Sequence, residues 1–287
     1  DPDALVCVGY LPWMAPADKM LGVRHTDFSN MHYYGSTEGF PAEFALIDRR
    51  FEGKGLSLGE CGAQEAHDAR THGMFIVPVA ESIRRFQTYL HYGAGLGAAF
   101  LCNWDWKDFD ESVFPWGLIH HGSPVAKPWL HTWEQGSLLL SLAEPAYRST
   151  QVFILAPDRH RIGPHFDELH NALKRCVELT LDQRVDFALI NEEAVEASGI
   201  PQSAQAILWP LPYCPTDETF RRVLDWVRAG GTLYLSGDVS FDPARLPTRS
   251  SRFTELGLPL ITPTPPFDVP GSVWQQAPVV SSVGEGR

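Results

Sequence analysis

Three short stretches carry side chains that could do chemistry: His32-Tyr33-Tyr34, Gly59-Glu60-Cys61-Gly62 and Asn103-Trp104-Asp105-Trp106. Glu60 says the most. A carboxylate at a strand end, with glycines beside it that let a ligand approach the backbone, is costly to place unless something cationic meets it. The oxocarbenium-like transition state of glycosidic bond cleavage is such a partner. Trp104 and Trp106 could stack on the C–H faces of a sugar, although Trp also fills cores. Composition alone favours the core reading for the nine Trp, five of which (Trp104, Trp106, Trp116, Trp129, Trp133) fall close together. Trp129 and Trp133, four residues apart, read as core residues of one helix.

Other candidates have plainer readings. His120-His121, before Gly122-Ser123-Pro124, could reach a sugar hydroxyl or simply turn the chain. Asp105, Asp108 and Asp110 could bind hydroxyls or a cation, with a solvated loop face the favoured account. His67 and His72 lack the i, i+4 spacing of a helical metal pair, so no metal site is assigned, and nothing calls for a cofactor. Ser236-Gly237-Asp238 lacks the G-x-S-x-G of a nucleophile elbow and reads as a turn. Asn191-Glu192 reads as a helix start, Asn191 capping and Glu192 and Glu193 favouring the dipole.

These side chains need strands to hold them. Apolar runs at Leu5 to Tyr10, Asp27 to Tyr34, Gly55 to Glu60 and Gly97 to Trp104 read as four strands alternating with helices, the pattern of a parallel sheet. Phe44, Ile47 and Phe51 mark one helix. Ile83 to His91 marks another, ahead of a glycine-rich turn at Gly93-Ala94-Gly95. A long loop from Trp106 to Pro128 leads to a helix from Trp129 to Leu142. A fresh α/β pattern follows, with strands Gln151 to Ala156, Asp186 to Ile190, Ala206 to Trp209 and Thr232 to Ser236. One of its helices carries Phe166, Leu169, Leu173, Cys176 and Val177 on one stripe. Another has Thr216 as N-cap, Asp217 and Glu218 in the first turn and Gly230 past its end. This second pattern is that of a doubly wound, flavodoxin-like domain. The predicted division is therefore 1–147, 148–262, and an irregular tail or linker over 263–287 that is rich in Pro, Gly and Ser.

Composition excludes several classes. A net charge of −12, from 23 Lys plus Arg against 35 Asp plus Glu, argues against a nucleic-acid partner. No apolar run approaches the roughly 20 residues of a membrane helix. Five cysteines without a C-x-x-C spacing indicate buried thiols rather than a zinc site or a disulfide framework. No secretory leader is read at Asp1, which weighs little if the natural start lies elsewhere. The compartment is open, with the cytoplasm favoured.

With these motifs in order, the chain resembles the retaining glycoside hydrolases of clan A, which are (β/α)₈ barrels, and in particular the family 42 β-galactosidases. Val8-Gly9-Tyr10 resembles their fifth strand, Asp27-Phe28 with His32 and Tyr34 the sixth, Gly59-Glu60-Cys61-Gly62 the seventh and Trp104 the end of the eighth. The resemblance implies that Glu60 is the nucleophile, that His32 and Tyr34 orient it, and that Trp104 floors the sugar subsite, with Asn103, Trp106 and His121 as further substrate contacts. It implies that the second domain builds a trimer. It also implies a departure, because such a barrel needs about 250 residues and eight strands. Only the second half of the barrel, strands five to eight, is read here. The acid/base Glu and the N-terminal half are then expected from a separate chain or an omitted segment. A β-galactosidase-like activity is favoured, with β-mannosidase, β-glucosidase or a non-catalytic carbohydrate-binding or assembly subunit as alternatives. An amidotransferase reading of the flavodoxin-like half fails for want of glycines around Cys214.

Overall fold

The computed structural model describes residues 4–7, 9–10, 26–48, 55–64, 77–109, 115–143, 149–157, 159, 166–259 and 280–286. Val8, Phe51, His67, His72, Asp110 and most of 263–287 lie outside them. The chain divides into two units, Asp1–Tyr147 and Arg148–Arg287.

In the first unit β1 (Gly9–Tyr10), β2 (Phe28–Tyr33), β3 (Gly55–Cys61) and β4 (Ala98–Asn103) form one parallel sheet in sequence order. The helices α1 (Phe40–Asp48), α2 (Val79–Gly95) and α3 (Leu130–Leu142) connect or follow the strands. Strand alternation sorts the faces. Met31, Tyr33, Leu56, Leu58 and Cys61 point to one side and pack with Phe40 and Phe44 of α1, Phe86 and Tyr89 of α2, and Trp129. Asn30, His32 and Ser57 turn to the other. Consecutive parallel strands whose helices cover one face are the arrangement of a barrel wall, whose opposite face becomes the barrel interior.

Two expectations are corrected here. Leu5 and Val6 lie outside β1, with exposed side chains, since the ladder to β2 pairs only Gly9 with Asn30 and Tyr10 with Met31. Gly93-Ala94-Gly95 forms the end of α2 rather than a turn, which falls at Leu96-Gly97, where Gly97 has φ 94°. The reason is packing: a Cβ on Gly93 would sit 2.6 Å from Leu101 of β4, so the glycine is a contact surface rather than a breaker. Gly136 does the same between α3 and Leu90. Trp129 is fully buried and N-caps α3, and Trp133 packs partly buried against the same cluster.

The second unit is a parallel sheet of β5 (Val152–Ala156), β6 (Phe187–Asn191), β7 (Ala206–Pro210) and β8 (Thr232–Ser236) in the order β6-β5-β7-β8. That order reverses direction beside the first strand, as in flavodoxin-like folds. Its helices are α4 (Phe166–Asp182), α5 (Glu192–Ser198), α6 (Asp217–Arg228) and the short α7 (Arg252–Glu255). Phe153, Leu155, Ile207 and Trp209 meet Val195 of α5 and Phe220, Val223 and Leu224 of α6. Leu169 of α4 packs with Leu211, Tyr213 and Cys214. The caps work as the side chains dictate: Thr216 Oγ1 accepts from Thr219 N at 3.0 Å, Asn191 Oδ1 from Ala194 N at 2.7 Å, and Gly230 takes φ 109°. Residues 280–286 lie with this unit, Glu285 N donating to Arg228 O at 3.0 Å. Among the described residues no helix is long and apolar enough to cross a membrane.

Candidate active site

Glu60 reaches the inner face of the first sheet through an irregularity. In a regular strand Gly55, Ser57 and Gly59 would share one face, and Glu60 would turn toward the helices. The ladder breaks that alternation, because Met31 pairs with Leu58 but His32 with Glu60, leaving Gly59 as the extra residue. The β4 side shows the same slip, with Leu58 opposite Leu101 and Cys61 opposite Asn103. This β-bulge re-aims the carboxylate. Gly59 itself faces inward, where a Cβ would lie 2.0 Å from Asn30 Oδ1. Asn30 has little room to yield, since Ser57 Oγ donates to its Oδ1 at 3.1 Å and its Nδ2 meets Cys7 Sγ at 3.6 Å. Gly59→Ala should therefore cost about 1–3 kcal/mol through overpacking and displace Glu60. Thermal unfolding together with Glu60 reactivity measures both, and a variant unchanged in both would contradict the bulge.

Two donors converge on the re-aimed carboxylate. Tyr34 OH donates to Glu60 Oε2 at 2.9 Å, and His32 Nδ1 lies 2.9 Å from the same oxygen. Among the described residues nothing bonds to Oε1. Burial and, next, the hydrogen bond to Glu60 push the Tyr34 phenol well above its ordinary value, so it stays a donor across the working pH range. His32 fits because β1 offers a glycine: a Cβ on Gly9 would lie 2.2 Å from His32 Nε2. The side chains of His32 and Glu60 are 21% and 26% exposed, open enough to meet a ligand.

The structure thus brings His32, Tyr34 and Glu60 into contact. Asn103 pairs in register with Cys61 at the neighbouring strand end, and Trp104 N donates to Cys61 O at 2.7 Å, with the Trp104 indole partly exposed. The Trp104–Asp105 peptide is cis. Asn103 Nδ2 donates to Asp105 O at 2.7 Å, a local turn contact. Trp106 is largely exposed on the following loop, and His121 Nδ1 lies 3.3 Å from Asp108 O within that loop.

Asp108 corrects the expectation of a solvated acidic face. It is buried, with Lys127 Nζ at 2.6 Å from its Oδ1 and both side chains fully excluded from solvent. Sequence reading also passed over Trp116 and Arg85. The ring of Trp116 meets the ring of Tyr34 edge-on, with centroids 4.8 Å apart, and Arg85 Nη1 lies 3.4 Å from Tyr34 O. Pro115-Trp116-Gly117 carries a signal of its own, since Pro and Gly around a Trp mark a fixed turn. Gly117 cannot bear a side chain, as a Cβ would sit 2.3 Å from Asp108 N.

Among the described residues no group of His, Cys, Asp or Glu is arranged to hold a metal. Cys214 is buried and its thiol is pushed by that burial up to about 12, the opposite of what a nucleophilic cysteine needs.

No protein-family profile and no curated protein sequence matches the chain. Solved structures do. A β-galactosidase from the haloarchaeon Halorubrum lacusprofundi superposes with a TM-score of 0.66 at 14% identity, over 89% of this chain and 41% of that one. A β-galactosidase from Bacillus circulans sp. alkalophilus gives 0.62 at 16% identity, over 88% and 39%. An exo-β-1,4-mannosidase from Opitutaceae bacterium strain TAV5 gives 0.59 at 15% identity, over 80% and 43%. The likeness is one of fold: the second half of a (β/α)₈ barrel followed by a doubly wound domain. The chain spans about 40% of the length of these structures.

Proposed function

We propose that the chain is the nucleophile-bearing half of a retaining glycoside hydrolase that acts on β-glycosides, with Glu60 as nucleophile. The observation that carries this is the Glu60 carboxylate at a strand-end bulge, with His32 and Tyr34 both on Oε2 and, among the described residues, no bond to Oε1. In the first step Glu60 Oε1 bonds to the anomeric carbon as the bond to the leaving oxygen breaks, and an acid carboxyl protonates that oxygen. Water, deprotonated by the same carboxylate, then releases the sugar with retained configuration. Tyr34 and His32 hold the nucleophile still, so that Glu60 gives up its charge on forming the neutral ester without reorganisation of its neighbours.

The acid/base Glu would come from outside these residues, about 5 Å from Glu60 as retention requires. The four-stranded sheet supports the same reading, since among the described residues the outer edges of β1 and β4 are unpaired, whereas parallel barrel strands bury both faces and pair both edges. The partner is then the N-terminal half of the barrel, from a separate chain or another segment. A β-galactoside is the favoured substrate, and the fold likeness to an exo-β-1,4-mannosidase keeps a β-mannoside next. Treatment of the complete enzyme with 2-deoxy-2-fluoro glycosides of several sugars, followed by peptide mapping, reads sugar and nucleophile together. A label on any other carboxylate refutes the assignment.

To Trp104, partly exposed just after β4, we assign the floor of the sugar subsite. Trp104→Ala should lower kcat/KM more than tenfold, about 1.4 kcal/mol or more. An unchanged kcat/KM in a folded variant sinks that role. The second unit we assign to self-association, because the exposed apolar side chains of Leu179 and Tyr234 line a cleft of about 900 Å³ between α4 and the sheet. Light scattering at micromolar concentration should return a mass above the monomer's, and a strictly monomeric mass counts against it.

A further inference from the structure

The residue after β2 needs support from outside its own strand. Tyr34 stands one position past the end of the ladder, yet its hydroxyl must remain 2.9 Å from Glu60 Oε2. Arg85 reaches its backbone carbonyl from α2. Its ring is braced by Trp116, which comes from the loop between β4 and α3 and is buried. The same indole lies against Gly62, two residues beyond Glu60, where a Cβ would approach Trp116 Cε3 to 3.3 Å. Trp116 therefore touches both the donor and the strand end of the carboxylate.

Trp116 is itself seated with unusual firmness. Lys127 Nζ donates to Pro115 O at 3.0 Å and to Asp108 Oδ1 at 2.6 Å, and that same Oδ1 accepts from Gly117 N at 2.7 Å. Asp105 N donates to Trp116 O at 3.1 Å. Both peptides flanking the indole are thus tied to one buried ion pair. Hydrophobic residues of similar volume would fill such a site without the desolvation that a buried pair demands, so its gain here is in position rather than stability.

We propose that Trp116, seated by the Lys127–Asp108 pair, is a positioning residue that holds the Tyr34 hydroxyl on Glu60. Its catalytic meaning rests on the glycosidase reading; its geometry does not, and the two can be tested apart. Tyrosines labelled with ¹³C at Cζ report the hydrogen bond, with the Tyr34 signal assigned by Tyr34→Phe. In the unaltered chain Glu60→Gln should shift that signal, because the acceptor loses its charge. In a Trp116→Leu background the same Glu60→Gln change should leave it nearly unmoved, and Trp116→Phe should restore most of the response. A response of equal size with and without Trp116 overturns the proposal. Should Trp116→Leu not fold, Lys127→Met combined with Asp108→Leu removes the anchor without stranding a charge, and an undiminished response there overturns it equally. In the complete enzyme, Trp116→Leu should slow covalent labelling of Glu60 by about tenfold to a hundredfold at unchanged inhibitor affinity. Absence of labelling in the unaltered enzyme refutes the glycosidase reading while leaving the Tyr34 response to decide the positioning.

Discussion

Glu60→Gln should reduce turnover of an activated aryl β-glycoside by at least about a thousandfold, roughly 4 kcal/mol of transition-state stabilisation, while leaving the fold intact. The substitution keeps the shape of the side chain and one acceptor for Tyr34, so the bulge and its neighbours have no reason to move. What it removes is the charge and the nucleophilic oxygen. A partly exposed carboxylate contributes little to stability through its contacts with His32 and Tyr34, so thermal unfolding should hardly change. Glu60→Ala opens a space on the face that the nucleophile would attack from. Azide should enter there and give a glycosyl azide of inverted configuration. The measurement belongs on the complete enzyme, since the acid carboxyl is assigned outside these residues. A non-catalytic carbohydrate-binding subunit behaves differently, because Glu60→Gln would then leave sugar binding largely intact and no turnover would exist to lose. Glu60→Gln retaining more than a tenth of the activity would remove Glu60 from the nucleophile's role.

How far the sequence disclosed this site depends on the range over which each feature is encoded. Glu60, His32 and Tyr34 stand at successive strand ends, and strand order is written in local apolar runs, so their proximity could be anticipated. The direction of Glu60 could not. Period-two alternation from Gly55 sends its side chain to the helix face, and only the pairing of Met31 with Leu58 and His32 with Glu60 reveals the extra residue. Gly93 misled for a related reason: a glycine in a helix that receives Leu101 looks the same in sequence as one that ends it. The burial of Asp108 is not legible locally, because its partner lies 19 residues on, across a loop whose closure is a tertiary event. Three acidic residues near two Trp look solvated until the loop folds over one of them. The caps at Thr216 and Asn191 were legible because they are complete within four residues.

The ion pair itself gives the second large effect. Lys127→Met should destabilise the first unit by about 3–5 kcal/mol, the usual consequence of removing one member of a buried pair and leaving the other charge without compensation. Asp108 would keep the bond from Gly117 N to Oδ1, with His120 Nδ1 4.0 Å from its Oδ2, in a site where its own side chain is closed to water. Pro115 O would lose its bond to the ammonium group. The methylene stem of Lys127 is largely matched by Met, so the loss would be electrostatic rather than a cavity, and the cation over the Trp129 ring, 5.5 Å from its centroid, would go with it. Global unfolding of a chain with two units need not be two-state, so the readout should be local. Exchange of the Gly117 amide proton reports the bond to Asp108 directly, and it should quicken by on the order of a hundredfold or more. Adding Asp108→Leu to Lys127→Met should recover most of the stability, because the stranded charge is then gone, yet it should not restore the seat of Trp116. That separation is the point of the experiment: stability returning while Tyr34 stays uncoupled from Glu60 places the ion pair in the positioning of the carboxylate. A Lys127→Met variant within about 1 kcal/mol of the unaltered chain would mean that water reaches Asp108 and that the pair is not closed as the structure has it.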